Sequence, residues 1–167
     1  MNHLENNIRI ATHIDLHTID EIYNIAISAS QTAHTIPLSL EQREDWFQHH
    51  NRNYPVFVYE LNNTVTGWLS FSPYREGRQA LQSTAEISFY LFSEYQGKGI
   101  GSVLVNFALS QAAALGFKNL FAIILESNNA SIRLMDKCGF KQWGFLPRIA
   151  ELNGKKLGHV FYGINLE

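Results

Sequence analysis

The sequence contains a single cysteine, little net charge and no long apolar run. One thiol, that of Cys138, excludes an internal disulfide and a metal centre built from several cysteines. A formal net charge of -2, with no basic cluster beyond Lys155-Lys156, argues against a general nucleic-acid binder. No run reaches transmembrane length, and residues 1–7 lack the basic and apolar parts of a signal peptide. These absences predict a cytoplasmic protein without nucleic-acid or membrane partners.

The composition that remains is that of a folded globular protein. Of the 167 residues, 46% are hydrophobic and 13% are aromatic, which is enough to build one core of ordinary size. The sequence has no internal repeat and no linker-like stretch. We therefore expect a single domain over residues 1–167.

Local patterns predict strands and helices in the order of an α/β (α+β) protein. Thr12 with Asp15, and Ser39 with Gln42, have the spacing of residues that cap helix N-termini. Asn62-Asn63 is a turn signal between two apolar runs. We expect helices after residues 15, 39, 102 and 128, and strands over 8–10, 54–60, 65–71, 87–92, 120–125, 143–146 and 159–164. These elements predict a mixed sheet with helices on both faces.

A glycine-rich turn over residues 94–102 joins a predicted strand to a predicted helix over 103–115. Gly97, Gly99 and Gly101 let the backbone approach a ligand, and the free N–H groups of a helix N-terminus attract an anion. The spacing matches neither the dinucleotide fingerprint nor the nucleoside-triphosphate loop. It does fit Q-x-x-G-x-G, formed by Gln96, Gly99 and Gly101. The turn therefore predicts a phosphate or pyrophosphate site, with a plain structural turn as the alternative.

Three histidines raise the question of a metal site. His49 and His50 are adjacent, and His34 could supply a third ligand. Neighbouring residues on a helix point about 100° apart, and no i, i+4 pair of ligands supports them. We therefore expect no metal.

The motifs around this turn resemble those of the phosphinothricin and methionine sulfoximine N-acetyltransferases, within the Gcn5-related N-acetyltransferase (GNAT) superfamily. The Q-x-x-G-x-G turn resembles the loop that binds the pyrophosphate of acetyl-coenzyme A in that superfamily. The chain departs from the family pattern at Leu81, where Tyr is common, and at Ala85, where Val is common. The other motifs that carry the resemblance are Ile22-Tyr23-Asn24, Pro37-Leu38-Ser39, Trp46-Phe47, Tyr54-Pro55-Val56, Gly67-Trp68, Pro73-Tyr74-Arg75, Thr84-Ala85-Glu86, Asn128-Asn129-Ala130-Ser131 and Gly139-Phe140.

The resemblance implies a GNAT fold, with a mostly antiparallel twisted sheet, and an enzyme that uses acetyl-CoA as donor. The acceptor it implies is a small-molecule amine of the amino-acid type, acetylated by direct transfer in a ternary complex. It also implies a homodimer. Two alternatives stay open: another amine acceptor, such as a polyamine or a protein N-terminus, and a non-catalytic sensor that binds coenzyme A.

Glu86 is the candidate general base. It lies ten residues before Gln96 in a strand of small and apolar residues, where burial could raise the pKa of its carboxyl. The alternative is an ordinary surface or ion-paired glutamate. By the resemblance, His159 contacts the substrate or helps to move the proton, although it could equally be structural. Cys138 follows a predicted helix C-terminus, where a thiolate is disfavoured, so we expect no acyl-cysteine.

The remaining site residues follow from side-chain chemistry for the two arginines and from the resemblance for the others. Arg75 and Arg78 are candidates for binding the acceptor's carboxylate, and Leu81 lies beside that pocket. Asn128 and Ser131 could contact the distal part of coenzyme A or simply cap a helix. The residues expected to bind the donor are Phe89, Tyr90, Leu91, Gln96, Gly97, Lys98, Gly99, Ile100, Gly101, Ser102, Asn128 and Ser131.

Overall fold

The structure is a computed structural model that describes residues 7–166. Residues 1–6, on which the argument against a signal peptide partly depends, lie outside the described residues. The strands are β1 (Ile8–Ile10), β2 (Val56–Leu61), β3 (Thr64–Pro73), β4 (Thr84–Leu91), β5 (Asn119–Leu125), β6 (Lys141–Leu152) and β7 (Lys155–Asn165). The helices are α1 (Leu16–Ser28), α2 (Leu40–His49), α3 (Ile100–Ala112) and α4 (Asn129–Lys137).

The seven strands form one sheet in the order β1-β2-β3-β4-β5-β7-β6. Neighbouring strands are antiparallel at every junction except the parallel pair of β4 and β5. The predicted mixed, mostly antiparallel sheet is therefore confirmed.

Helices cover both faces of the sheet. Side chains alternate along a strand, so Phe57 and Tyr59 of β2 join one buried cluster, whereas Val56 and Val58 join another. The first cluster contains the apolar side of α3 and Met135 of α4, and the second contains the apolar side of α1. The sheet thus separates two cores.

A local capping signal sets the start of α2. The Ser39 hydroxyl accepts the backbone N–H of Gln42 at 3.1 Å, and the Gln42 side chain accepts the N–H of Ser39 at 2.9 Å, so the predicted capping pair is confirmed. Helix α3 ends at Ala112, whereas the sequence predicted a helix that continues to residue 115.

Strand β6 is longer than the predicted 143–146 because its pairing continues beyond two irregularities. The register shifts between Gln142 and Gly144, and again between Leu146 and Ala150. Pro147, which has no backbone N–H, and Arg148, with a φ of 56°, occupy the second irregularity. These residues interrupt the alternating pattern from which a strand is recognised.

The parallel pair of β4 and β5 separates soon after it begins. Its register contains only Thr84 with Asn119, Ala85 with Leu120, and Glu86 with Phe121. Beyond Glu86 the two strands diverge and leave an opening in the sheet. Among the described residues, no helix combines the length and the apolar character needed to cross a membrane.

Candidate functional site

A cleft of about 350 Å³ lies in the opening between β4 and β5, and we call it the inter-strand cleft. Its walls are residues 87–91 of β4 and residues 122–124 of β5. Its far end is formed by α4 and by five residues of the glycine turn and the start of α3: Gln96, Gly97, Gly99, Gly101 and Ser102. The cleft therefore combines open strand edges at one end with a helix N-terminus at the other.

The glycine turn shapes that far end. Gly99 is the N-cap of α3 and has a φ of 86°, a left-handed conformation that favours glycine. A Cβ on Gly101 would lie 2.9 Å from Leu134 Cδ2, so the missing side chain lets α3 and α4 approach each other. The Gln96 side chain donates to the Leu91 carbonyl at 3.3 Å and ties the loop to β4. The free N–H groups of the first turn of α3 give this end of the cleft the character of an anion site.

Most of the predicted donor-binding residues line the inter-strand cleft. They are Phe89, Tyr90, Leu91, Gln96, Gly97, Gly99, Gly101, Ser102, Asn128 and Ser131. Ile100 is buried instead, with 5% of its surface exposed, and Lys98 Nζ lies 5.3 Å from the centre of the Tyr95 ring. Asn128 Oδ1 accepts the backbone N–H of Ser131 at 3.1 Å, so Asn128 caps α4 in the structure.

Sequence reasoning missed two cations on the wall of this cleft. Arg133 and Lys137 both line it from α4, where their i, i+4 spacing places them on the same side of the helix. That spacing, on a helix that follows a buried strand, is the signal that could have identified them. Two positive charges beside a free helix N-terminus suit a ligand that carries several phosphates.

A second cavity, of about 620 Å³, opens at the other end of β4, and we call it the loop cavity. The predicted acceptor residues Arg75, Arg78 and Leu81 all line it. Glu76 also lines it, as do His50 at the end of α2 and Ser72 of β3. The arginines outnumber the acid, so the cavity suits a ligand with a carboxylate.

Glu86 is not itself among the described residues that line either cavity, but its neighbours in the sheet line both. Its cross-strand partner is Ser72, which lines the loop cavity. Ser88, two residues further along β4 on the same face, lines the inter-strand cleft. Among the described residues the Glu86 carboxyl has no hydrogen-bond partner, and burial raises its pKa. A carboxyl with a raised pKa is a better proton acceptor than an exposed one.

The structure does not bring His159 next to Glu86. Glu86 pairs with Phe121, which pairs with Gly163 of β7, and His159 lies four residues from Gly163. That separation is about 13 Å along the strand. His159 shares the face of Glu86 but is not among the described residues that line either cavity, and burial lowers its pKa.

An aromatic cluster with a buried cation packs α1 and α2 onto the sheet face that carries Glu86. Sequence reasoning did not find this cluster. The Arg43 guanidinium lies 4.6 Å from the Tyr23 ring centre and 4.9 Å from that of Trp46. Its Nε donates to Asp20 at 3.0 Å. Arg43 is only 2% exposed, so α2 is held against α1 by a charge removed from water.

The three histidines considered for metal binding each have a separate partner. His34 Nδ1 lies 2.6 Å from the Tyr23 hydroxyl, His49 contacts the Asp45 carbonyl, and His50 contacts the Trp46 carbonyl. Among the described residues, no three side chains of metal-binding type come together.

Comparisons with known proteins agree with this geometry. The model of the Acetyltransferase (GNAT) family matches residues 19–140. YwnH of Bacillus subtilis (strain 168), provisionally named a phosphinothricin acetyltransferase, is 41% identical over 151 residues, which are 89% of this chain and 92% of that protein.

Two further relatives extend the likeness over nearly the whole length of this chain. The L-methionine sulfoximine/L-methionine sulfone acetyltransferase of Salmonella typhimurium (strain LT2) is 32% identical over 164 residues, covering 96% of this chain and 94% of that protein. The crystal structure of a GNAT superfamily phosphinothricin acetyltransferase from Sinorhizobium meliloti, in complex with AcCoA, superposes with a TM-score of 0.89. It is 30% identical, and the match covers 95% of this chain and 86% of that one.

Proposed function

Because the chain belongs to the acetyltransferase (GNAT) family, we propose that it transfers the acetyl group of acetyl-CoA to the primary amine of a small acceptor. The chain is an acetyl-CoA-dependent N-acetyltransferase. The acceptor that we propose is an amino acid of the phosphinothricin or methionine sulfoximine type, as in the names of its relatives. The observation that carries this proposal is the position of Glu86 between an anion-binding cleft and a cavity with two arginines.

The donor would occupy the inter-strand cleft. The N–H groups at the start of α3, together with Arg133 and Lys137, would bind its phosphates. Residues Phe89, Tyr90 and Leu91 would offer backbone hydrogen bonds to the extended arm, since the β5 side of β4 is open beyond Glu86. A backbone N–H of this segment would also stabilise the negative charge that develops on the thioester oxygen.

The acceptor would occupy the loop cavity, with its carboxylate on Arg75 or Arg78. This places its amine toward Ser72 and Glu86. A polyamine fits less well, since the cavity presents two arginines and one acid, Glu76, whereas a polycation requires an acidic lining.

Glu86 would make the acceptor reactive. An α-amine is largely protonated at neutral pH and attacks only when neutral, so a base must remove a proton before the C–N bond forms. The carbonyl electron pair then moves to oxygen and returns as the C–S bond breaks, which releases the thiolate of coenzyme A. No acyl-enzyme is needed, and burial raises the pKa of Cys138 above that of a reactive thiol.

The role of His159 stays a prediction from the resemblance. A homodimer is likewise a proposal from the resemblance, whereas a single domain and a cytoplasmic location are proposals from the length and composition of the sequence.

An amine panel tests the function. Thiol release from acetyl-CoA is measured with methionine sulfoximine, phosphinothricin, common amino acids, a polyamine and a peptide N-terminus. We expect turnover with the first two, and loss of turnover when the acceptor's carboxylate is converted to an amide. Tight coenzyme A binding without turnover of any amine would support the sensor instead.

Glu86→Gln tests the base. Because general-base catalysis contributes about 100-fold or more, we expect kcat near neutral pH to fall by about that factor. Glu21→Gln, on the exposed side of α1, is the matched control and should leave kcat unchanged. An unchanged rate in Glu86→Gln would show that the base has been assigned wrongly.

A further inference from the structure

His50 is held in one tautomer at the end of α2. Its Nδ1 lies 2.7 Å from the Trp46 carbonyl oxygen. A carbonyl oxygen only accepts hydrogen bonds, so Nδ1 carries the hydrogen. The other nitrogen, Nε2, therefore presents a lone pair when the ring is neutral. The ring itself is fixed against Trp46, with 4.3 Å between the ring centres.

The lone pair of His50 Nε2 is directed at the strand that carries the partner of Glu86. Nε2 lies 3.4 Å from the Ser72 hydroxyl oxygen. Since Nε2 has no hydrogen, the Ser72 hydroxyl is the donor. Ser72 is the cross-strand partner of Glu86, and facing Cβ atoms in such pairs are about 5 Å apart. Glu86, Ser72 and His50 therefore form a line from the middle of the sheet to the wall of the loop cavity.

The environment keeps His50 ready to accept a proton. Burial lowers the pKa of His50 most strongly; the hydrogen bond to the Trp46 carbonyl raises it, and the electrostatic effects of His49 and Arg43 lower it, so that the pKa is lowered on balance. The ring is thus neutral at neutral pH, although it borders a cavity through which a proton can reach solvent.

The reaction needs a second proton acceptor. The acceptor ammonium has three N–H hydrogens and the amide product has one, so two protons leave the nitrogen. One of them is taken up by the thiolate of coenzyme A, and the other is released. A single carboxylate holds one proton at a time, so Glu86 must pass on the first proton before it can receive the second.

We propose, on the basis of the function proposed above, that His50 takes up the first proton that Glu86 removes from the acceptor amine. This proton reaches His50 through the Ser72 hydroxyl, and His50 then releases it into the loop cavity. The Glu86 carboxyl makes no hydrogen bond to Ser72 in the structure, so protonated Glu86 first turns toward its cross-strand partner. It then gives its proton to the Ser72 oxygen while the hydrogen of that hydroxyl moves to His50 Nε2. The Glu86 carboxylate is thereby restored. It then takes the second proton from the attacking nitrogen and delivers it to the leaving thiolate.

Four variants test this route in the full chain: His50→Gln, Ser72→Ala, the double variant and Ser72→Thr. We expect kcat to fall by about 100-fold in His50→Gln and in Ser72→Ala, since each breaks one proton-transfer step. The KM for acetyl-CoA should stay unchanged, because neither side chain lines the inter-strand cleft. The double variant should be no slower than either single variant, because the two groups act in series. Ser72→Thr keeps the hydroxyl and should retain most of the rate.

His17→Gln, an exposed histidine of α1, is the control, and thermal unfolding of every variant reports on folding. An unchanged kcat in folded His50→Gln overturns the inference, as does a double variant whose loss is the product of the single losses. Equal loss in Ser72→Thr and Ser72→Ala also overturns it. These outcomes leave the proposed function standing, whereas a wild-type protein that acetylates no amine refutes the proposed function itself.

Discussion

The substitution Arg43→Met removes a buried cation from between two aromatic rings and a carboxylate. The Arg43 and Asp20 side chains are 2% and 11% exposed, so water cannot replace the lost partner of the carboxylate. Breaking a buried ion pair from one side costs about 3–5 kcal/mol. Asp20 keeps a hydrogen bond from the Asn24 amide at 2.9 Å, and methionine fills much of the space of the arginine stem. We therefore expect a loss of about 3 kcal/mol in the free energy of unfolding.

Urea unfolding at one fixed protein concentration measures this loss. In a chain of this size it corresponds to a fall of about 6–12 °C in the melting temperature. Arg9→Met is the control: Arg9 contacts Asp15 and Glu60 at 2.7 Å each, and its side chain is 39% exposed. The Asp15 side chain is only 6% exposed, but it keeps hydrogen bonds from the Thr12 backbone N–H at 2.7 Å and the Thr12 hydroxyl at 3.0 Å. Because those hydrogen bonds remain and Arg9 is partly solvated, we expect a smaller cost of about 1 kcal/mol.

A double variant separates the lost charge from lost packing. Asp20→Asn in the Arg43→Met background removes the uncompensated carboxylate, so most of the stability should return. The reasoning is refuted if Arg43→Met costs no more than Arg9→Met. It is also refuted if the double variant is as unstable as Arg43→Met alone, because packing rather than charge would then carry the effect.

Two glycine variants test close contacts. Gly101→Val should raise the Kd for coenzyme A about tenfold. Even a Cβ there would lie 2.9 Å from Leu134, which lines the cleft, and overpacking costs about 1–3 kcal/mol. Isothermal titration measures the Kd, and an unchanged Kd would contradict the proposed donor site. Gly163→Ala should lower the free energy of unfolding by about 1–3 kcal/mol, since a Cβ would lie 2.1 Å from the Trp143 ring. Urea unfolding measures it, and Gly163→Ala in a Trp143→Ala background should cost clearly less; equal costs would show that the ring is not responsible.

Features set by neighbours in sequence could be predicted from the sequence. Ser39 with Gln42 starts α2, and Asn62 and Asn63 take φ values of 52° and 61° in the predicted hairpin turn. The glycine turn was placed correctly before α3 because a helix N-terminus and a left-handed glycine are local properties.

Features set by distant parts of the chain could not be predicted. His50 was considered for a metal, but its contact with Ser72 depends on how α2 lies over β3, across 22 residues of sequence. The burial of Arg43 depends likewise on Asp20, 23 residues away. The separation of β4 from β5 is also invisible in sequence, since both strands have the apolar character of a continuous pair.

That separation would give the proposed donor a structural role. Beyond Glu86, the edge of β4 that faces β5 has no strand partner among the described residues. A bound pantetheine arm would supply hydrogen-bond partners to this edge, much as an added strand completes a sheet. Folding and donor binding are then thermodynamically linked, and a donor at 100 times its Kd adds about 2.7 kcal/mol to the stability of the fold. The supply of acetyl-CoA would thus set the resistance of the protein to unfolding and proteolysis, besides its rate.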